Sequence, residues 1–264
     1  MEESYQVTTS TTNNKFILLL NKVLKTLLSI IVLLLVWDLF ALLVERIFNH
    51  SDFLPNVHTT LKSVLIIITK KGFIKTILTS FYRVIVGLTV GIILGALLAT
   101  LCHYSRIADA LLSPVISIMK ATPVACIIVL LWISMSNSQL TIFVVVTMVM
   151  PIIWQNVLEG YRVINKDLSE VADIFEFSRS KRFRFLIFPT LLKYLIPAII
   201  SAIGMAWKSE VATEIITYNN MGGLIYDFKS NYDTAFVFGW TVIIIVLSIS
   251  FESFAKHLLR RIKI

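Results

Sequence analysis

The chain has 264 residues, of which 57% are hydrophobic and 15% charged, with a mean hydropathy of +0.83. An ordinary soluble domain carries about 25% charged residues, and a water-soluble fold could not hide this much apolar surface. The formal net charge of +8 lies mainly beside apolar runs, where it marks membrane topology and headgroup contact rather than nucleic-acid binding.

The apolar runs are long enough to cross a bilayer, and a crossing segment must satisfy its own backbone polar groups, so the fold class is an all-α polytopic membrane protein. Residues 1–22 carry Glu2 and Glu3 and no basic stretch ahead of Phe16, which reads as an N-terminal segment before a retained span rather than a cleaved signal peptide. The first span is 23–44, with Asp38 near its end as an interfacial charge. Segment 45–79 is external or interfacial, and within it 57–71 is apolar but short and flanked by lysines, which suits a helix lying at the interface.

Residues 80–255 form the core, with five further spans at 80–103, 113–134, 139–159, 194–217 and 235–255, and a basic tail follows at 256–264. Gly87, Gly91 and Gly95 recur every four residues in the second span, which allows a neighbouring helix to approach closely, although glycine is also common in membrane helices generally. The short connection after 134 makes the third and fourth spans antiparallel neighbours. Residues 219–233 read as a polar stretch between the fifth and sixth spans. Seven Lys and Arg lie in 161–193 and four in 256–264, against five in 45–79 plus Lys229, so both termini and the 161–193 loop are expected in the cytoplasm. Lys70, Lys71 and Lys75 fall on the disfavoured side.

Cys102 and Cys126 lie within or at the edge of apolar runs, which points to neither a disulfide nor a metal site. His50, His58, His103 and His257 are scattered near span ends. No serine or carboxylate stands in a hydrolytic motif, so the chain is not expected to be an enzyme.

The loop 161–193 is too polar to span. Leu168, Val171, Ile174 and Phe175 repeat with helical spacing, and Ser169 precedes Glu170 and Asp173 as a helix start would. The basic amphipathic piece SKRFRFLIF ends at Pro189. Two short helices with an apolar face in water need a partner to cover it.

Glu170-Val171-Ala172, then Glu176, then Leu186-Ile187-Phe188-Pro189 resembles the loop of ABC importer permeases, Glu-Ala-Ala, three residues, Gly, nine residues, Ile-x-Leu-Pro. Glu176 stands where that family has glycine, and glutamate lacks glycine's freedom at positive φ. Leu54-Pro55, Ser80-x-x-Arg83-Val84-x-x-Gly87, Ser113-Pro114 through Thr122-Pro123, Leu131-Trp132, Ala206-Trp207-Lys208 with Val211-Ala212-x-Glu214, and Met221-Gly222-x-Leu224-Ile225 are similar to the nitrate, sulfonate and taurine branch. The resemblance covers about residues 54–255.

That resemblance implies a six-span, type I importer permease in the cell membrane, with Glu170, Ala172, Asp173, Glu176, Phe177, Ser178 and Pro189 in the coupling loop. It implies partners as well: ABC ATPase subunits, an extracytoplasmic substrate-binding protein or lipoprotein, and a second permease copy. The chain has no phosphate-binding Gly-rich loop, so it is expected to bind no cofactor, with ATP and Mg held by the partner ATPase. The substrate class implied is a small organic anion of the sulfonate, taurine or nitrate type, or a vitamin precursor.

Ionisable residues inside spans cost about 2.5–3.5 kcal/mol each on insertion scales, so they mark function or structure. Lys120, Thr122 and Pro123 in the third span, with Trp207, Lys208, Glu210 and Glu214 in the fifth, fit the lining of a translocation path in which the lysines serve an anion. Structural ion pairs between helices fit Lys208, Glu210 and Glu214 equally. Two other function classes remain open from the sequence: a secondary transporter, although no repeat relates residues 1–132 to 133–264, and a membrane scaffold, which leaves the buried charges unexplained.

Overall fold

The computed structural model describes residues 3–48, 53–164, 170 and 172–259, and among these every regular element is a helix. The calls on Leu168, Ser169 and Val171 fall outside the described residues. Five helices are long and apolar enough to cross a membrane, or up to six if one bent pair counts as a single span.

α1 (Glu3–Phe48) buries little of its apolar stretch against the rest of the chain. It meets the body near Trp37, whose ring lies 5.9 Å from Phe238 and whose Nε1 donates to the Pro55 carbonyl at 3.1 Å. Asp38 accepts the Val57 N–H at 2.7 Å, so its carboxylate sits at the positive start of α2 (Val57–Thr69). Thr60, Ser63 and Ile67 of α2 are buried, and Ser63 and Ile67 pack against Gly239, where a Cβ would come within 3.2 Å and 3.0 Å of them.

α3 (Phe73–Tyr104) follows a turn in which Gly72 takes φ 98°, a conformation open to glycine. Its glycine stripe meets α6 (Asn137–Arg162) in parallel register: added Cβ atoms at Gly87, Gly91 and Gly95 would stand 2.7 to 2.8 Å from Val145, from Val149, and from Met150 and Ile153. The close approach allowed by the spacing is therefore spent inside the chain. Lys70, on the side that the charge count disfavours, lies 4.9 Å and 4.8 Å from the ring centres of Phe228 and Phe236 and is held by cation–π attraction.

The expected third span at 113–134 is two helices, α4 (Arg106–Ala121) and α5 (Val124–Trp132), bent by 96° at Thr122-Pro123. Proline supplies no N–H and drives the preceding residue out of the helical region, and Thr122 takes ψ 125°. The hydropathy window runs unbroken across this bend, which is why the sequence reads as one span.

α6 is the central helix and packs against α3 and α7. α7 (Arg179–Ile216) is one continuous helix of 38 residues, far longer than the expected span at 194–217. The polar stretch after it folds into α8 (Asn220–Ser230), and α9 (Thr234–Leu259) packs against α2, α7 and α8. Val84, Val145, Val149, Ile153, Ala202 and Ala206 are fully buried where α3, α6 and α7 meet. α7 runs antiparallel to α3 and α6: Leu191 and Tyr194 neighbour Gly160 at the end bearing the polar loop, whereas Glu214 meets Ser80 at the far end.

Candidate functional site

At the loop end, Ala172 is buried while Glu170, Asp173, Ile174, Phe175, Glu176 and Phe177 are exposed. The helical turn they form ends in a Schellman motif: Phe177 N–H donates to Ala172 O at 2.9 Å, and Glu176 N–H to Asp173 O at 3.0 Å. Glu176 occupies the left-handed position of that motif, with φ 49°. The glycine turn is thus kept without the glycine. Ser178 then caps α7 by accepting the Lys181 N–H, and Arg182 Nη2 reaches back to Asp173 at 2.9 Å, which ties the two helical pieces together.

The expected second short helix ending at Pro189 is instead the start of α7. A π-helical stretch, Phe183–Ile187, in which Phe188 N–H donates to Phe183 O, leads into the α-helical Phe188–Ile216, so the helix passes through Pro189 directly after a local irregularity, the place where a proline's missing N–H and ring disturb an α-helical ladder least. Pro189 therefore ends nothing: from Arg179 on the segment is the start of a membrane-length helix, joined to the Glu176 turn through Ser178 and the Arg182–Asp173 ion pair. Ile174, Phe175, Phe177, Phe183, Phe185 and Phe188 stay exposed along it, interleaved with basic side chains.

At the far end, a buried polar node joins four helices. Glu214, fully buried, accepts from Ser80 Oγ at 2.8 Å, Arg83 Nη1 at 3.0 Å and Asn220 Nδ2 at 2.9 Å. Its other oxygen accepts the Met221 and Gly222 N–H groups at 3.1 Å and 3.4 Å, so the carboxylate sits at the positive start of α8. Arg83 Nη2 donates to Ser138 Oγ at 2.9 Å, which brings in α6. α8 comes this close because Gly222 has no side chain; a Cβ there would stand 2.1 Å from Ile215 N.

The seven candidate path residues separate into two environments. Trp207, Glu210 and Glu214 are buried, Trp207 against Phe81 with ring centres 5.0 Å apart. Glu214 belongs to the interhelical ion pair just described, whereas Glu210 is fully buried and, among the described residues, neither of its carboxyl oxygens has a hydrogen-bond partner. Lys120, Pro123 and Lys208 are exposed and Thr122 half-buried. Lys120 donates to Gln155 Oε1 on α6. Lys208 lines an open cleft of about 550 Å³ between α7 and α9, together with Val211, Ile245, Ser248 and Glu252, and Glu252 itself pairs with Lys256.

Ser80, Arg83, Ser138 and Asn220 are not in the candidate set. Arg83 carried a usable signal, an ionisable residue inside an apolar span, and Ser80 stands three residues before it in the same motif. Ser138 and Asn220 had none, because a single hydroxyl or amide beside a span end is unremarked until the fold closes.

A family model described as the binding-protein-dependent transport system inner membrane component matches residues 91–264. The chain is 30% identical over 167 residues to the bicarbonate transport system permease protein CmpB of Synechococcus elongatus, covering 61% of this chain and 60% of that protein. It is 29% identical over 162 residues to the nitrate import permease protein NrtB of Leptolyngbya laminosa, covering 60% of this chain and 58% of the relative. A Bacillus subtilis protein provisionally named as the aliphatic sulfonates transport permease SsuC is 24% identical over 186 residues, covering 69% and 67%. The match thus spans 60% of the length of the first of these relatives. Among solved structures, an amino acid ABC transporter with histidines superposes with a TM-score of 0.59 at 17% identity, over 70% of this chain and 91% of that one, a likeness of fold.

Proposed function

The chain belongs to the binding-protein-dependent transport system inner membrane components, and from that premise we propose that it is the permease of an ATP-driven importer, which carries a substrate across the cell membrane while a separate ATPase supplies the energy. The observation that carries this reading is the capped helical turn around Glu176 fused to α7. Its exposed Ile174, Phe175 and Phe177 form an apolar face that needs a partner, and α7 runs unbroken from that face into the membrane body. An ATPase that holds this face moves α7 as a lever when nucleotide closes it, and the lever tilts the spans around the path. ATP and Mg reside on the ATPase.

In this reading the loop end is cytoplasmic, and the far end receives substrate from an extracytoplasmic binding protein. Exposed lysines at membrane depth do not face lipid at equilibrium; they face water or protein. The surfaces bearing Lys120, Thr122 and Pro123 and, separately, Lys208 therefore lie against water or a second copy of the permease, and the path runs between the two copies. Its positive charge favours a small anion, with sulfonate, taurine and nitrate as the leading class and a vitamin precursor as the second.

A tagged chain coexpressed with its ATPase tests the reading. The expected result is copurification and ATP-driven uptake in vesicles, with both reduced by Glu170→Lys. Failure of the wild-type chain to retain any ATPase would overturn the assignment.

A further inference from the structure

α7 carries two buried carboxyl groups one helical turn apart, Glu210 and Glu214. Arg83 binds Glu214, while Glu210 makes no hydrogen bond among the described residues. Because α3 and α7 are antiparallel, the step from Ser80 to Arg83 and the step from Glu214 to Glu210 both lead away from the far end. Glu210 consequently lies within electrostatic reach of Arg83, Ser80 and Glu214. The guanidinium has five N–H donors, and Nη1 and Nη2 each make one of the bonds already described, to Glu214 and to Ser138.

We propose that Glu210 is a second seat for Arg83, so that the arginine is a two-position latch on the far end of the bundle. In the first seat Arg83 ties α3 to α6 through Ser138, to α7 through Glu214, and indirectly to α8, whose first N–H groups Glu214 holds. In the second seat it ties α3 to α7 alone and the far end of α6 is released, while Glu214 keeps its own hold on α8.

The two carboxylates are suited to the exchange in different ways. Glu214 keeps four other donors when the arginine leaves: Ser80 Oγ, Asn220 Nδ2 and the Met221 and Gly222 N–H groups. Glu210 has none among the described residues, so it gains most when the arginine arrives. Exchanging one buried pair for another also avoids a buried unpaired guanidinium, the arrangement that makes breaking such a pair severe. A side-chain rotation with a small shift of α3 on α7 is enough, since interfaces of this kind have discrete alternative packings rather than continuous ones.

The latch rests on the importer reading, and it is tested in the reconstituted complex of this chain with its ATPase by amide hydrogen exchange at Leu140 and Thr141, beside Ser138 at the start of α6, together with ATP-driven uptake. In the wild type, trapping with ATP and vanadate is expected to raise exchange at these amides about tenfold, as release of local structure does. Glu210→Gln removes the second seat. Its resting protection is expected to match wild type, while the nucleotide-dependent rise disappears and uptake falls about tenfold; Glu210→Asp, which keeps a carboxyl group there, restores part of both. Ser138→Ala, at an exposed position, weakens only the first seat and is expected to raise resting exchange severalfold, because hydrogen bonds to charged groups are among the stronger ones. A Glu210→Gln complex that takes up substrate and opens the start of α6 like wild type overturns the latch, as does unchanged resting exchange in Ser138→Ala. Absence of ATP-driven uptake in the wild type would instead remove the importer reading, and the latch with it.

Discussion

A glutamate held at φ 49° is an uncommon choice, since the left-handed region costs a side chain roughly 1–2 kcal/mol and glycine nothing. The two Schellman hydrogen bonds fix Glu176 there regardless of its side chain. Glu176→Gly is therefore expected to raise the thermal midpoint slightly, by about 1 kcal/mol of stability less the entropy glycine loses on folding, and to leave coupled ATP hydrolysis unchanged. A loss of coupling would mean that the carboxylate itself makes a contact glycine cannot. Tyr218 and Tyr232, at φ 51° and 59°, fill the same place at the ends of α7 and α8, with Asn219 N–H on Glu214 O at 2.9 Å and Asp233 N–H on Phe228 O at 2.9 Å. The sequence flagged Glu176 through the motif it interrupts. Whether the backbone would follow the motif or the residue was decided by hydrogen bonds that no spacing encodes. Gly222 is the opposite case. Its motif position was legible, but its reason is the α7 backbone 2.1 Å from the missing Cβ. Gly222→Ala should cost about 1–3 kcal/mol or more by overpacking and should lower the yield of monodisperse protein in detergent; normal yield with an unshifted melting temperature would contradict the packing described.

At the level of elements, hydropathy located five spans and misread two stretches, each for an identifiable reason. The window across 113–134 cannot see that Thr122-Pro123 breaks the chain, because both halves of the 96° bend are apolar. The start of α7 was read as a separate short helix because Arg179, Lys181, Arg182 and Arg184 make it polar, yet helical hydrogen bonding continues through Phe183–Ile187 into the span. The glycine stripe, legible as a close-packing face, required the fold to name its partner. Gly91 lies under Val149, where an added Cβ would approach to 2.8 Å, so Gly91→Leu is expected to separate α3 from α6 at a cost of about 1–3 kcal/mol or more. The expected readout is a lower melting temperature with Val149→Ala as partial rescue. An unshifted melting temperature would place the stripe outside the α3–α6 contact.

For the whole molecule, the issue is which surface meets water within the membrane, and the chain carries a natural probe of it. Cys126 is exposed in the first turn of α5, three residues past Pro123, while Cys102 is buried and receives the Trp154 Nε1–H at 3.4 Å. Alkylation needs the thiolate, and a thiol against lipid does not ionise, so labelling reports contact with water rather than exposure in the isolated chain. If the Lys120–Pro123 face lines the path between two copies, a small charged thiol reagent applied to intact membranes should modify Cys126 and leave Cys102 untouched. The rate should change when ATP and vanadate trap the complex, since the path then opens to the other side. Lys208→Glu leaves the cleft between α7 and α9, which Glu252 also lines, with two carboxylates and no lysine; it should depress anion uptake while the loop end still supports ATP hydrolysis, because the two sites lie at different depths along α7. Cys126 that reacts only after detergent extraction would put α5 against lipid. The path would then have to run along the Lys208 cleft alone.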